Sequence, residues 1–197
     1  PVIAIEADPR WAPLLADVAP RARVVVADAL LIDIAELLAE LPAPRVIVSN
    51  MPYNITGPLL ERFDAARPAV TKMVLMMQRE VADKILAAPG DSARGALSVV
   101  MQRRYQTAKI ADVPPGAFWP PPKVWSTVLA FEPRRDTPEL EPLLELAHLA
   151  FRMPRKTLAN NLRAAGYDLT LPNDWPPGIR PHQLTEAQWL TIADRLI

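Results

Sequence analysis

Glu6, Asp28 and Asn50 each close a short apolar run, and each stands 22 positions after the one before. Equal spacing of this kind follows when successive strand–helix units put one polar group each on the same rim of a sheet. In open α/β sheets, ligands bind beyond the carboxyl ends of the strands. An acid after the second strand of a nucleotide-binding unit bonds ribose hydroxyls, because a carboxylate accepts two O–H donors at once. Acids at strand ends also serve as solvated loop starters, so Glu6 and Asp28 by themselves leave the two readings balanced. Asn50 shifts that balance, because it opens the run Asn50-Met51-Pro52-Tyr53. Pro52 fixes its own φ and drives Met51 out of the α region, so the loop leaves its strand extended and stiff. Such a corner holds the Asn50 amide oxygen and a backbone carbonyl in a set orientation. Two acceptors so placed suit the two protons of a planar exocyclic amine, with the Tyr53 ring positioned to stack on the base carrying it. The competing reading is an ordinary proline turn with a core tyrosine, and it is the less favoured one.

These residues need a scaffold, and the apolar pattern supplies one. Strands are expected over Val2–Ile5, Val24–Val26, Val46–Val48 and Met73–Met77. Between them, Pro9 opens a helix with Trp11, Leu14, Leu15 and Val18 on one face, and Ile34, Leu37, Leu38 and Leu41 form another. A further helix covers Ile55–Ala65. Strands apolar throughout and separated by helices imply a parallel sheet covered on both faces, an α/β doubly wound domain. Helices over Val81–Leu86 and Ala96–Arg103 follow, broken at Pro89-Gly90, and then the proline cluster Pro114, Pro115, Pro120, Pro121 and Pro122. Alternation at Val124, Ser126, Val128 and Ala130 marks a last strand ending near Pro133. Beyond a boundary at Arg134–Thr137 the text is helical: Leu140–Phe151, Lys156–Ala165 and Thr185–Leu196. The expected organisation is therefore an α/β domain over 1–135 and a small helical domain over 136–197.

Composition narrows the chemistry. The 197 residues include no cysteine, which removes disulfides, thiolate–metal centres and thiol nucleophiles, and His148 and His182 stand too far apart in sequence to suggest a histidine metal centre. No apolar run approaches the roughly 18–20 residues of a membrane span, and no signal peptide opens the chain, so a soluble, cytoplasmic protein is expected. The 22 basic and 22 acidic side chains cancel, yet unevenly: 6 against 9 over residues 1–69, 10 against 5 over 70–135, and 6 against 8 over 136–197. The middle third is the candidate for contact with a polyanion. It offers Arg94, Arg103, Arg104, Lys109 and Lys123, and the later stretch Arg152, Arg155, Lys156 and Arg163 adds a run without acids. On charge alone these side chains read equally well as a solvated face. The start at Pro1, directly before a strand-like run, reads as a piece of a longer protein.

Asn50-Met51-Pro52-Tyr53-Asn54-Ile55 closely resembles the Asn-Leu-Pro-Tyr-Asn-Ile motif of the ribosomal RNA adenine N6,N6-dimethyltransferases, the bacterial KsgA type and its relatives. Further segments match in order. Gln78-Arg79-Glu80-Val81-Ala82 is similar to the family's Gln-(Lys/Arg)-Glu-Val-Ala, and Gly95-Ala96-Leu97-Ser98-Val99 to Gly-x-Leu-Ser-Val. Phe118 to Ser126 fits Phe-x-Pro-x-Pro-x-Val-x-Ser. Phe151, followed by Arg155-Lys156-Thr157-Leu158-Ala159-Asn160-Asn161-Leu162, resembles Phe…Arg-Lys-Thr-Leu-x-Asn-Asn-Leu. Matches over nearly the whole chain make the resemblance highly specific.

The resemblance implies a Rossmann-like class I methyltransferase with a helical C-terminal domain, using S-adenosylmethionine and releasing S-adenosylhomocysteine. By position, Glu6 would bind the cofactor ribose and Asp28, with Ala29 beside it, the cofactor adenine. Asn50 and the Pro52 corner would hold the target N6, Tyr53 would stack the flipped base, and Phe118 would cover its other face. Arg103, Arg104, Lys123, Arg152, Arg155 and Lys156 become phosphate contacts, with no metal required. The implied reaction is dimethylation of two adjacent adenosines in the 3′-terminal hairpin of small-subunit ribosomal RNA on an immature 30S particle, by a monomer. A resistance-type enzyme acting on large-subunit RNA and a non-catalytic assembly checkpoint are the alternatives. DNA adenine methylation is disfavoured, since those enzymes show Asp/Asn-Pro-Pro-Tyr. Two departures stand out. Met51 replaces the common Leu, a volume-conserving change. The family's Gly-x-Gly-x-Gly loop and its strand would lie upstream of Pro1. Without them the expectation is two unpaired inner strand edges, and weak or no cofactor binding and activity in this chain by itself.

Overall fold

A computed structural model describes residues 1–135, 141–167 and 170–195. Strand β1 (Val2–Glu6) leads through a short turn into helix α1 (Ala12–Val18), and β2 (Ala22–Val26) returns parallel to β1. Helix α2 (Ile34–Ala39) starts at Asp33, whose carboxylate accepts from the Glu36 amide at 3.0 Å, a side-chain cap of the usual kind. Then come β3 (Val46–Asn50), α3 (Thr56–Ala65), β4 (Lys72–Gln78), α4 (Arg79–Leu86), α5 (Ala96–Arg104), β5 (Tyr105–Val113) and β6 (Ser126–Pro133). Helices α6 (Glu141–Ala150), α7 (Leu158–Ala164) and α8 (Glu186–Ala193) complete the described chain. The expected helices at both ends of this last group extend onto residues 140 and 196, outside the described residues, as does half of the expected domain boundary at 134–137.

The strands form two sheets, β1-β2 and β3-β4-β6-β5. Among the described residues β1 pairs only with β2, and β3 only with β4. The parallel pairing expected of the first four strands is found within β1–β2 and within β3–β4. β3 and β4 run parallel, but β6 is antiparallel to both β4 and β5. β5 has no counterpart in the sequence reading. It is an edge strand whose residues from Lys109 to Asp112 are all exposed, with a bulge between Lys109 and Ala111, so it lacks the apolar alternation of a half-buried strand. The face of α1 bearing Trp11, Leu14 and Val18 is likewise exposed rather than buried, since α1 packs against β2 and the turn before it.

β4 alternates strictly. Met73, Leu75 and Met77 are fully buried and join Leu129 and Phe131 of β6, Met51, Ile85 and Phe63 in one core. Each such side chain contributes about 1.5–3 kcal/mol on burial. A second core gathers Leu143, Leu146, Leu158, Leu162, Leu184, Trp189 and Ile192 from the C-terminal helices, and Val99 of α5 belongs to it. Helix α5 is thus shared by both cores: its Met101 faces the first and its Val99 the second.

Candidate active site

Glu6 ends β1 and Asp28 lies two residues beyond the end of β2, so both stand at the carboxyl ends of neighbouring parallel strands. Glu6 stands opposite Val26 in the β1–β2 register, and its carbonyl accepts from the Ala27 amide at 2.9 Å. Its carboxylate Oε1 accepts from the Asp8 amide at 2.8 Å. Asp8 in turn caps the following turn and pairs with Arg10 at 2.6 Å, and this hydrogen bond holds the Asp8 carboxyl below its ordinary value. Asp28 is exposed, with Oδ1 accepting from the Leu30 amide at 2.8 Å. Ala29 is half-buried against the first core. Each carboxylate thus stiffens its own loop through one local amide, and a carboxylate has acceptor capacity beyond one such bond.

The second half of the site is the corner after β3. Asn50 is the last residue of the strand and is exposed. Met51 is fully buried, and its amide donates to the Met76 carbonyl at 3.0 Å. The apolar side chain at position 51 is therefore an anchor in the core, which explains why Met serves where Leu is common. Pro52 is extended at φ −60°, ψ 128°. Its carbonyl accepts from the Ile55 amide and the Thr56 hydroxyl, both at 3.1 Å. Tyr53 is half-buried, and its hydroxyl lies 2.5 Å from Ser126 Oγ. Ser126 is fully buried, held between Gln78 of β4 and Val113 of β5 by the ladder on each side. The ring of Tyr53 is thus tethered at its far end to the first residue of β6, an inner strand of the four-stranded sheet. Phe118 is half-buried after the turn Pro115–Ala117, its amide donating to the Pro115 carbonyl at 3.2 Å.

The structure therefore places Glu6 and Asp28 at the carboxyl ends of β1 and β2, and Asn50 and Tyr53 at that of β3 in the other sheet. Ser126 is the site residue that sequence reasoning left without a role. Its motif was legible, but its partner is 73 residues away.

The cations divide sharply. Arg94, expected at a polyanion, is instead buried, donating to the Ala87 carbonyl and Gln102 Oε1 at 2.7 Å each, and its burial lowers the guanidinium pKa. Arg103 pairs with Glu186 at 3.0 Å, and Arg104 pairs with Asp64, which also accepts from the Tyr105 hydroxyl at 2.8 Å. These two arginines tie α5 to α8 and to α3, so the positive middle third does not become a continuous basic face. Lys109 pairs with Asp112 at 2.6 Å. Lys123, Arg152, Arg155, Lys156 and Arg163 are exposed. Asn161, fully buried, organises the turn that presents Arg155 and Lys156. It accepts from the Met153 amide at 2.9 Å and donates to the Met153 carbonyl at 3.0 Å and the Thr157 carbonyl at 3.2 Å.

A family model described as "Ribosomal RNA adenine dimethylase" matches residues 1–195. The protein named "Ribosomal RNA small subunit methyltransferase A" from Phenylobacterium zucineum is 42% identical over 200 residues, covering 98% of this chain and 70% of its own length. Proteins of the same name from Hahella chejuensis and Chromobacterium violaceum are 37% and 42% identical, over 89% and 86% of this chain and 66% and 65% of their own lengths. The chain thus spans about two thirds of these relatives. Among solved structures, a dimethyladenosine transferase from Plasmodium falciparum is similar with a TM-score of 0.78 at 23% identity, covering 97% of this chain and 80% of that one. The 23S rRNA methyltransferase ErmE gives 0.69 at 24% identity, covering 99% and 81%. At these identities the likeness shows the fold, that of the class I methyltransferases.

Proposed function

The chain belongs to the ribosomal RNA adenine dimethylase family, and on that premise we propose that it works in S-adenosylmethionine-dependent N6,N6-dimethylation of two adjacent adenosines in the 3′-terminal hairpin of small-subunit ribosomal RNA. The names of the relatives at 42% identity favour the small-subunit substrate. The observation that carries the reading is the corner itself: an exposed Asn50 at a strand end, beside a Tyr53 ring tethered through its hydroxyl.

S-adenosylmethionine, when bound, supplies a methyl group on an electron-poor sulfonium. The residues present fit it: two carboxylates, Glu6 and Asp28, close adjacent parallel strands on one rim, each already oriented by a local amide. Glu6 would hold the ribose hydroxyls, and Asp28 with Ala29 the adenine end. An adenine in a helix must leave its stack before N6 is accessible. Tyr53 and Phe118 then receive the base, each stacked face being worth about 1–3 kcal/mol. Asn50 Oδ1 would accept a hydrogen bond from one N6–H. The Pro52 carbonyl is engaged by Ile55 and Thr56, so the carbonyl of Met51 takes the other. Two acceptors in the plane of the amine favour localising the nitrogen lone pair out of that plane, toward the methyl donor. Positioning and electrostatics supply the catalysis, and once N6 carries the methyl group its extra proton passes to solvent water.

Lys123, Arg152, Arg155 and Lys156 contact phosphate, while Arg103 and Arg104 serve the fold through their internal pairs. Residues 1–135 form the catalytic unit and 136–197 a helical unit, acting as a cytoplasmic monomer on an immature small subunit. No helix of the described residues is long and apolar enough to cross a membrane. The test is transfer of labelled methyl groups from S-adenosylmethionine to small subunits lacking the modification, with N6,N6-dimethyladenosine read by mass spectrometry. Asn50→Ala abolishes the product. Unchanged product with Asn50→Ala overturns the reading, and a cellular role that survives this change without methylation identifies a checkpoint instead.

A further inference from the structure

Two tryptophans stand outside the site just described. Trp119 is 95% exposed and Trp125 is 42% exposed. Both lie at the variable positions of the Phe118–Ser126 motif, as does the exposed Lys123. Neither indole belongs to either core, and each leaves aromatic surface in water that can stack on a base. Trp125 is nevertheless held in place. The Arg79 amide donates to its carbonyl at 2.9 Å, and the Arg79 guanidinium carbon sits 5.6 Å from the ring centroid, within cation–π range. The next residue is Ser126, whose hydroxyl tethers Tyr53. The acid facing Arg79 electrostatically is Asp112, and Lys109 at 2.6 Å and Thr127 at 2.7 Å already engage its carboxylate.

We infer that Trp119 and Trp125, with Arg79 and Lys123, form a stacking platform for unpaired nucleotides of the RNA strand that flank the target adenine. Indole faces interleaved with cations bind single-stranded nucleic acid through base stacking and phosphate contact together, whereas a purely apolar protein partner would not call for the cations. Three consecutive prolines, 120 to 122, separate Trp119 from Lys123 and limit the freedom that this segment loses on binding. The inference rests on the RNA-methylating reading of the Asn50–Tyr53 corner, one residue from Trp125 through Ser126. Its effect is on capture of the strand, so it belongs in KM and not in kcat.

The experiment titrates the protein with a fluorescein-labelled, unstructured oligoadenylate, reading anisotropy and the quenching of intrinsic indole fluorescence. Trp119→Ala and Trp125→Ala each weaken binding by about 5- to 100-fold at an unchanged salt slope. Trp125→Phe retains most of the affinity because it keeps a π face, and it controls for misfolding. Lys123→Ala instead lowers the salt slope by about 0.7. Wild-type affinity in both alanine variants overturns the platform, as does failure of the wild type to bind oligoadenylate. Loss of self-association in place of RNA affinity overturns it too, by assigning the surface to protein. The two readings fail separately: tryptophan variants that lose RNA while Asn50→Ala still methylates leave the platform standing without the Asn50 reading, and the converse leaves that reading without the platform.

Discussion

The tether between Tyr53 and Ser126 makes a quantitative prediction about stability and turnover together. Ser126 Oγ is fully buried and 2.5 Å from the Tyr53 hydroxyl. Tyr53→Phe therefore strands a buried hydroxyl, a loss of about 1–3 kcal/mol, whereas Ser126→Ala leaves an unpaired hydroxyl on a half-buried ring that water can reach, at about 1 kcal/mol. Removing both partners leaves no orphan, so the double variant is more stable than Tyr53→Phe alone, with a coupling energy of about 1–2 kcal/mol. Urea denaturation of the four proteins measures this directly. In methyl transfer the hydroxyl acts only by orienting the ring, so all three variants lose kcat/KM by a similar factor of about ten, equivalent to about 1.4 kcal/mol. Tyr53→Ala, which also removes the stacking face, loses about 1–3 kcal/mol more. Additive stability changes, or activity losses that multiply in the double variant, would refute the claim that the two hydroxyls work as one tether.

Two other consequences are open to simple measurement. Replacing exposed Arg155 and Lys156 with Ala should flatten the dependence of log affinity for RNA on log salt by about two units, and an unchanged slope would remove both from the phosphate-contacting set. Burial and the neighbouring Asp64 raise the Tyr105 pKa, so the unfolded chain gives up this proton first, near pH ~10. Stability from this group is complete below that pH and is lost above it, at up to about 1.4 kcal/mol per pH unit. Tyr105→Phe is less stable at neutral pH, because Asp64 loses a donor, but lacks this alkaline slope in denaturation curves taken from pH ~8 to ~11.

Much of the scaffold could be read from the residues alone. β-branched runs marked β1 to β3, apolar periodicity marked α1 to α8, and the Asn50–Tyr53 corner was legible because Pro52 restricts the backbone within its own tripeptide. Such signals act over a few residues, and steric limits on φ and ψ travel with the chain. Edge strand β5 and the antiparallel order of β5 and β6 were not legible, because strand order depends on which loops close, and an exposed edge carries no apolar alternation. The cations divided the same way. Composition predicted a basic middle third, but whether an arginine faces water or a carboxylate was decided by partners 83 residues away for Arg103 and 40 for Arg104. The sequence by itself thus determined the local acceptors, Glu6, Asp28 and Asn50, and the stiffness of the loop at Asn50. Only the tertiary structure decided what holds Tyr53 and which positive charges stay exposed, because pairing across the sheet is a property of distance in space and not of distance along the chain.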